Sequence, residues 1–218
     1  MKVIVKYKKI DRLKYISHLD TIRLLQRALR RANINIIYSE GYNPHPKFSF
    51  AMPLSLGIET YGDYLEIEVD DGEDYKSIQD RLNFVLPDSF KVVDVELSEY
   101  GRTLSSRLKN VVYIIDIKNE IENLSNVEKI IENFFEEEQI VKRIKKKKRK
   151  TKIKKFDSRK FIWKIDIIEK NNKGIKLKIY GIFSNEGTVK MEELVEVLKK
   201  LTLDIKDYKI TREDMIFE

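Results

Sequence analysis

Val3, Val5 and Tyr7 alternate with lysines near the start of the chain, and this period of two predicts a strand with one buried face. The period changes in SHLDTIRLLQRALRRAN, residues 17–33, where Leu19, Ile22, Leu25, Leu29 and Ala32 recur at helical spacing. Ser17 and Asp20 form an S-x-x-D capping pair at the start of that helix. INIIY (34–38) reads as a short strand entering a loop. FSFAMPLSLGI (48–58) then alternates without a break. Phe48, Phe50, Met52, Leu54, Leu56 and Ile58 are apolar, with Ser49, Ala51, Pro53, Ser55 and Gly57 between them. The pattern predicts a strand with one core face and one small-residue face open to close approach. Pro53 places it at an edge or a bulge. TYGD (60–63) reads as a turn, with YLEIEVD as the returning partner strand. DYKSIQDRLNFVL (74–86) is a helix stopped near Pro87, and FKVVDVEL is a strand. The succession is β-α-β-β-α-β.

The second half repeats that succession in elements, not in residues. VVYIIDIK is a strand, and SNVEKIIENFFEEE is a helix with a Ser125/Glu128 capping box. KFIWKIDII and IKLKIYGIF are strands joined by the turn sequence NNKG. VKMEELVEVLKKL is a helix and IKDYKIT a last strand. The expected fold is α+β: two tandem ferredoxin-like (βαββαβ) domains, residues 1–100 and 110–218, with the boundary in SEYGRTLSSRLKN (98–110). A single intertwined α+β domain is the alternative.

Composition narrows the function. Of 218 residues, 42% are hydrophobic, enough for a core, and no run is apolar enough to span a membrane. The N-terminus lacks the apolar stretch of a signal peptide, so a cytoplasmic location is expected. There is no cysteine, which excludes disulfides, thiolate catalysis and cysteine-ligated iron–sulfur clusters or zinc. The net charge of +7 is local: eleven Lys/Arg and no acid lie between Lys142 and Lys155. Without those eleven, 32 basic residues face 36 acidic ones, a net of −4. Local positive charge points to a polyanion.

Four stretches could carry chemistry. On the helix at 17–33, Arg23, Arg27, Arg30 and Arg31 recur at steps that bring three or four onto one face. They read as an ordinary solvated face or as a row of phosphate forks. His18 and Asp20 read as residues of the helix start. With His45 they make a set able to hold a divalent metal or orient a catalytic histidine. SEGYNPHPKF (39–48) gathers Ser39, Gly41, Tyr42, Asn43, Pro44, His45, Pro46 and Lys47. Gly41 permits a positive φ, and Pro44 and Pro46 push Asn43 and His45 toward extended backbone. A restrained histidine loses little entropy on binding, so the stretch reads as a binding loop, or else as a rigid connection. The basic run holds Lys142, Arg143, Lys145, Lys146, Lys147, Lys148, Arg149 and Lys150. It is expected to be a loop that stays mobile until it meets a polyanion. Asp157 and Arg159 follow in KFDSRKF, beside Phe156, Phe161 and Trp163, which read as core or as base-stacking aromatics. No Walker loop, GxGxxG, GxSxG or HExxH occurs.

YISHLDTIRLLQRALRRANI, YSEGYNPHPKFSFAMPLSLGIET and DYLEIEVD resemble the hallmark block of the radical-SAM-linked domain, a bacterial family of uncharacterised function. The resemblance covers residues 2–100 well and FDSRKF more faintly. It implies a cobalamin-binding radical-SAM protein as partner and an RNA connection. It marks His18, Asp20, Arg23, Arg27, Arg30, Ser39, Gly41, Asn43, Pro44, His45, Pro46 and Lys47 as the positions to watch. Taken with the absence of cysteine, the resemblance implies that this chain is the linked partner and not the radical generator. Its layout is also similar to the repeat-associated RNA-binding proteins of CRISPR systems, but the glycine-rich loop of those proteins is absent. The reading is an RNA-binding accessory module with no cofactor and no reaction of its own, presenting transfer or ribosomal RNA to the radical-SAM partner. One alternative is a metal-independent endoribonuclease using His45 or His18, with Lys47 or an arginine stabilising the phosphorane. The other is a protein-only adaptor.

Overall fold

β1 (Lys2–Lys9) lies between two antiparallel neighbours, β3 (Glu59–Glu68) and β4 (Phe90–Leu97). A computed structural model describes residues 1–98, 101–118, 126–147, 150–184, 186–201, 203 and 205–218, with backbone alone for 142, 144–147 and 150–154. The fold is α+β, and the chain divides into two units, Met1–Leu108 with Thr211–Glu218 and Lys109–Ile210.

In the first unit, β2 (Phe48–Phe50) pairs antiparallel with β3, giving the order β4-β1-β3-β2. Thr211 and Arg212 of the last strand, β10 (Tyr208–Phe217), run parallel to Glu59 and Thr60. The register sets Val3 opposite Ile67 and Val5 opposite Leu65, so the two alternations bury the same face. A slip of one residue would turn every one of these side chains outward. α1 (His18–Arg31) covers that face with Leu25, Ala28 and Leu29, and α2 (Ile78–Val85) with Ile78 and Leu82. Burying each large apolar side chain contributes roughly 1.5–3 kcal/mol.

After a short α3 (Leu104–Arg107) comes β5 (Leu108–Ile117). In the second unit β5 pairs with β9 (Gly174–Ile182), and β9 with β8 (Ile162–Asn171), all antiparallel. Ile115, Ile117, Leu177 and Ile179 are buried with Phe134 of α4 (Val127–Glu136) and Leu194 and Leu198 of α5 (Met191–Lys200). β6 (Ile140–Lys147) and β7 (Lys150–Asp157) form a separate antiparallel pair.

Five local expectations change. INIIY is not a strand; Ile36 and Tyr38 make only isolated bridges, to Val69 and Pro46. The strand expected over 48–58 stops at Phe50. Pro53 lacks a donor and Gly57 has φ +84°, so the ladder cannot continue, and Leu56 is exposed while Ala51 is buried. TYGD is not a turn but lies inside β3. A Cβ at Gly62 would fall 2.6 Å from the Glu213 carbonyl oxygen, so this glycine admits a close backbone and does not bend the chain. Leu19 of the apolar stripe is 62% exposed. The basic run is not a loop but the paired β6–β7. The register sets Ile144 opposite Ile153 and Val141 opposite Phe156, residue types favoured in strands that the lysine count masks. Ser125 of the expected capping box lies outside the described residues, and Glu128 pairs with Lys170. No helix among the described residues is long and apolar enough to cross a membrane.

Candidate nucleic-acid interface

Ser17 starts α1. Its Oγ accepts the Asp20 N–H at 3.1 Å and its hydroxyl donates to Asp20 Oδ2 at 2.7 Å. Asp20 Oδ1 receives Arg23 Nη1 at 2.9 Å. The Ser17 hydroxyl first, and Arg23 second, hold the Asp20 carboxyl below its ordinary value. With Thr21, Leu25, Ala28 and Leu29 buried, the outer face carries Arg23, Arg27 and Arg31 at successive steps of four. These three and Asp20 line a groove of about 470 Å³. Its floor is Leu13, Ile16, Leu24, Ala28, Val85, Leu86 and Pro87. Arg30 is exposed and outside the groove. Among the described residues, no carboxylate pairs with Arg27, Arg30 or Arg31. The C-terminus of α1 is fixed by Arg81, which donates to the Ala32 carbonyl at 3.0 Å, to the Asn33 carbonyl and to the buried Glu73.

The SEGYNPHPKF stretch is closed at both legs by hydrogen bonds from backbone N–H groups. The Ser39 N–H donates to the His45 carbonyl at 2.8 Å, and the His45 N–H to Ser39 Oγ at 3.0 Å. The Lys47 N–H donates to the Ile37 carbonyl at 2.8 Å, and the Glu68 N–H to the Lys47 carbonyl at 2.9 Å. Pro46 is buried, while Gly41, with φ +122°, Tyr42, Asn43, Pro44 and His45 stand in solvent. Tyr42 is fully exposed. Lys47 Nζ sits 3.6 Å from Glu68 Oε2, so its charge is partly matched.

His18 packs its ring against Phe50, with centroids 4.9 Å apart. Among the described residues, no three His, Asp or Glu side chains gather as a metal-holding group. His18, Asp20 and His45 are therefore not brought together as one. The two histidine rings share no hydrogen bond or ring contact.

The reading from sequence missed a buried polar network in the first unit. Arg212 and Asp63 are both almost wholly buried, and Arg212 Nη1 lies 2.9 Å from Asp63 Oδ1. Arg212 Nη2 donates to the Pro53 carbonyl at 3.0 Å. The Tyr7 hydroxyl donates to Asp63 Oδ2 at 3.2 Å, and the Thr60 hydroxyl to Asp63 Oδ1 at 3.1 Å. Lys9 is buried on the same strand face as Tyr7, and burial lowers its ammonium while Asp63 opposes that shift. The network ties the irregular 51–58 segment and the chain's end to β3. Alternation carried the available signal, because Tyr7 and Lys9 continue the inward parity of Val3 and Val5. On the other side of this sheet Tyr64 donates to Asp214 at 2.7 Å and Lys6 pairs with the same carboxylate at 2.9 Å. Half-burial pushes the Tyr64 phenol up to about 12. Asp94 and Glu96 border that recess, which makes it a poor phosphate site.

In the second unit the register sets Lys142 opposite Lys155, Arg143 opposite Lys154, Lys145 opposite Lys152 and Lys147 opposite Lys150. Lys148 and Arg149 lie outside the described residues, and Lys142, Lys145, Lys146, Lys147 and Lys150 are described by backbone alone. Arg143 has an internal role. It grips Glu193 at 2.8 and 2.6 Å, donates to the Thr188 carbonyl at 2.8 Å and lies 3.4 Å from the Phe156 ring centroid. Glu193 also accepts the Lys190 N–H at the start of α5, so one carboxylate anchors both elements. Asp157 Oδ1 accepts the N–H groups of Arg159 and Gln139, and Arg159 donates to the Phe135 carbonyl at 3.2 Å, closing the end of α4. Phe156 and Phe161 are buried and stacked, 4.6 Å between centroids, whereas Trp163 is 63% exposed.

A family model described as an uncharacterized protein conserved in bacteria (DUF2344) matches residues 2–196. The chain belongs to that family. No curated protein matches it. Among solved structures, a chain in the crystal structure of a Cbf5-Nop10-Gar1 complex is similar at 9% identity and TM-score 0.50. The match covers 98% of this chain and 48% of that one. A chain in the archaeal box H/ACA sRNP Nop10-Cbf5 complex is similar at 8% identity and TM-score 0.50, covering 96% and 46%. This chain thus spans about half the length of these two structures, and at such identity the likeness concerns fold alone.

Proposed function

We propose that this member of the DUF2344 family is an RNA-binding accessory module that holds structured RNA, such as transfer or ribosomal RNA, for a radical-SAM partner enzyme. The observation that carries the RNA reading is the ladder of Arg23, Arg27 and Arg31 along the α1 groove, with Arg27 and Arg31 lacking any acidic partner among the described residues. Guanidinium groups one helical turn apart form a pre-ordered row of forks for a phosphate backbone. The facing lysine pairs of β6–β7 add a second cationic element. The box H/ACA sRNP setting of one similar structure fits this reading and assigns no residue to it. The partner is supported by the resemblance of the HLD and SEGYNPHPK motifs to the radical-SAM-linked domain. Each unit reads as ferredoxin-like. The β4-β1-β3-β2 order of the first supports this, as does the same succession of elements around β5-β9-β8 in the second.

The test is a salt titration of transfer RNA binding by wild type and by the Arg27→Gln/Arg31→Gln double variant. The variant should keep its stability within about 0.5 kcal/mol. Its slope of log affinity against log salt should fall by about 1.8 if both arginines neutralise phosphates. An unchanged slope takes the groove out of the interface. RNA cut in EDTA by wild type, but not by His45→Ala, would replace the module by a nuclease.

A further inference from the structure

Trp163 has no place in the core, although it lies on a strand whose neighbours do. Ile162 pairs with Gly181 and Lys164 with the next residue back, Tyr180, so Trp163 is the extra residue of a β-bulge. Bulges re-aim side chains, and this one leaves a tryptophan 63% exposed. Its ring meets Tyr180 edge to face, with centroids 5.6 Å apart and planes at 82°. Along β9, Ile175, Leu177 and Ile179 are buried, so Lys176, Lys178 and Tyr180 occupy the opposite face. The ammonium groups of Lys164 and Lys178 each lie 5.9 Å from the Tyr180 ring centroid.

We propose that Trp163 and Tyr180 form a stacking platform for an unpaired base of single-stranded RNA, with Lys164 and Lys178 beside the flanking phosphates. The proposal rests on the RNA-binding reading and adds the form of RNA taken here. Two rings nearly at right angles make a corner: a planar base stacks on one while its edge meets the other. An exposed tryptophan beside a half-buried tyrosine, interleaved with lysines on one sheet face, suits an unstacked base and not a duplex, whose base faces are already covered. The lysines favour a nucleic acid over an apolar peptide as the occupant. Asp166, paired with Lys164 at 2.9 Å, can hold that ammonium in place until a phosphate competes for it.

Trp163 is the chain's only tryptophan, so its fluorescence reports this corner alone. The full chain is titrated with a labelled oligoadenylate of about ten nucleotides, a length within single-strand site sizes, and with its oligouridylate duplex. Label polarisation and tryptophan emission are read together. Saturable quenching by the single strand is expected, with about tenfold weaker single-strand binding in Trp163→Ala and Tyr180→Leu and near-normal binding in Trp163→Phe. Binding by polarisation without quenching, equal quenching by the duplex, or unchanged affinity in Trp163→Ala overturns the platform and leaves the RNA-binding reading standing. No binding of transfer RNA or of either oligonucleotide overturns both.

Discussion

The outer face of α1 and the foot of the β6–β7 pair both come from arginine- and lysine-rich sequence, yet they use their cations in opposite ways. On α1, Arg27 and Arg31 line an open groove with no acid opposite them among the described residues. At the foot of β6, Arg143 is held by both oxygens of Glu193, the Thr188 carbonyl and the Phe156 ring. The first pair of guanidiniums can meet a phosphate at little cost to the fold. Arg143 would have to abandon a partly buried carboxylate to do so. A count of positive charges cannot separate these cases; the neighbours brought by folding do.

Arg212 carries this contrast to its limit, and its loss is the largest effect expected. Arg212→Ala leaves Asp63 buried with only the Tyr7 and Thr60 hydroxyls as hydrogen-bond donors. Removing one partner of such a pair costs about 3–5 kcal/mol, readable by urea denaturation at pH 7. Replacing both partners, as in Asp63→Leu/Arg212→Met, should recover much of that loss. A loss under about 1 kcal/mol for Arg212→Ala would mean the pair is not insulated from water and that the contrast with α1 is one of degree.

The same contrast marks what the sequence made legible. Local signals were sufficient where one period ruled: α1 with its Ser17 cap, β1, and the paired strands β8 and β9 joined by NNKG all follow from spacing. They failed where a distant backbone decided the outcome. Gly62 looked like a turn residue because its reason, the Glu213 carbonyl, lies about 150 positions away in sequence. The strict alternation of 48–58 predicted a long strand, yet Arg212 takes the Pro53 carbonyl and the chain leaves the ladder. The basic run concealed a strand pattern because lysines filled the positions between Val141, Ile144, Ile153 and Phe156. At the site, the arginine spacing on α1 was legible. The division of labour between Arg143 and Arg27 was not, because Glu193 is fifty residues from Arg143 in sequence.

Arg143→Ala comes next in size. Loss of the bidentate pair with Glu193 should cost about 2 kcal/mol in denaturant, with RNA affinity falling by no more than one charge's worth of salt slope, about 0.9. The Arg27→Gln/Arg31→Gln variant should show the reverse: a large change in slope and little in stability. If Arg143→Ala instead keeps its stability and loses most RNA affinity, the two regions exchange roles and the β6–β7 foot becomes the interface.

The smallest effect is at Asp20, the one acid lining the arginine groove among the described residues. Its carboxyl is held low in the folded chain by the Ser17 hydroxyl and Arg23, so its contribution to stability is present above the ordinary value of 3.8 and is lost as pH falls through the lowered folded value. The side chain is open to solvent, so the gap in thermal midpoint between wild type and Asp20→Asn should be barely measurable at pH 7 and should close in acid. RNA binding gives the sharper test. Asp20→Asn releases Arg23 from its 2.9 Å ion pair, leaving three uncommitted guanidiniums in the row. The salt slope should then steepen by about 0.9 and affinity at low salt should rise. An unchanged slope would show that the RNA passes Arg27 and Arg31 without reaching the first turn of α1, which would confine the phosphate row to the C-terminal half of the helix.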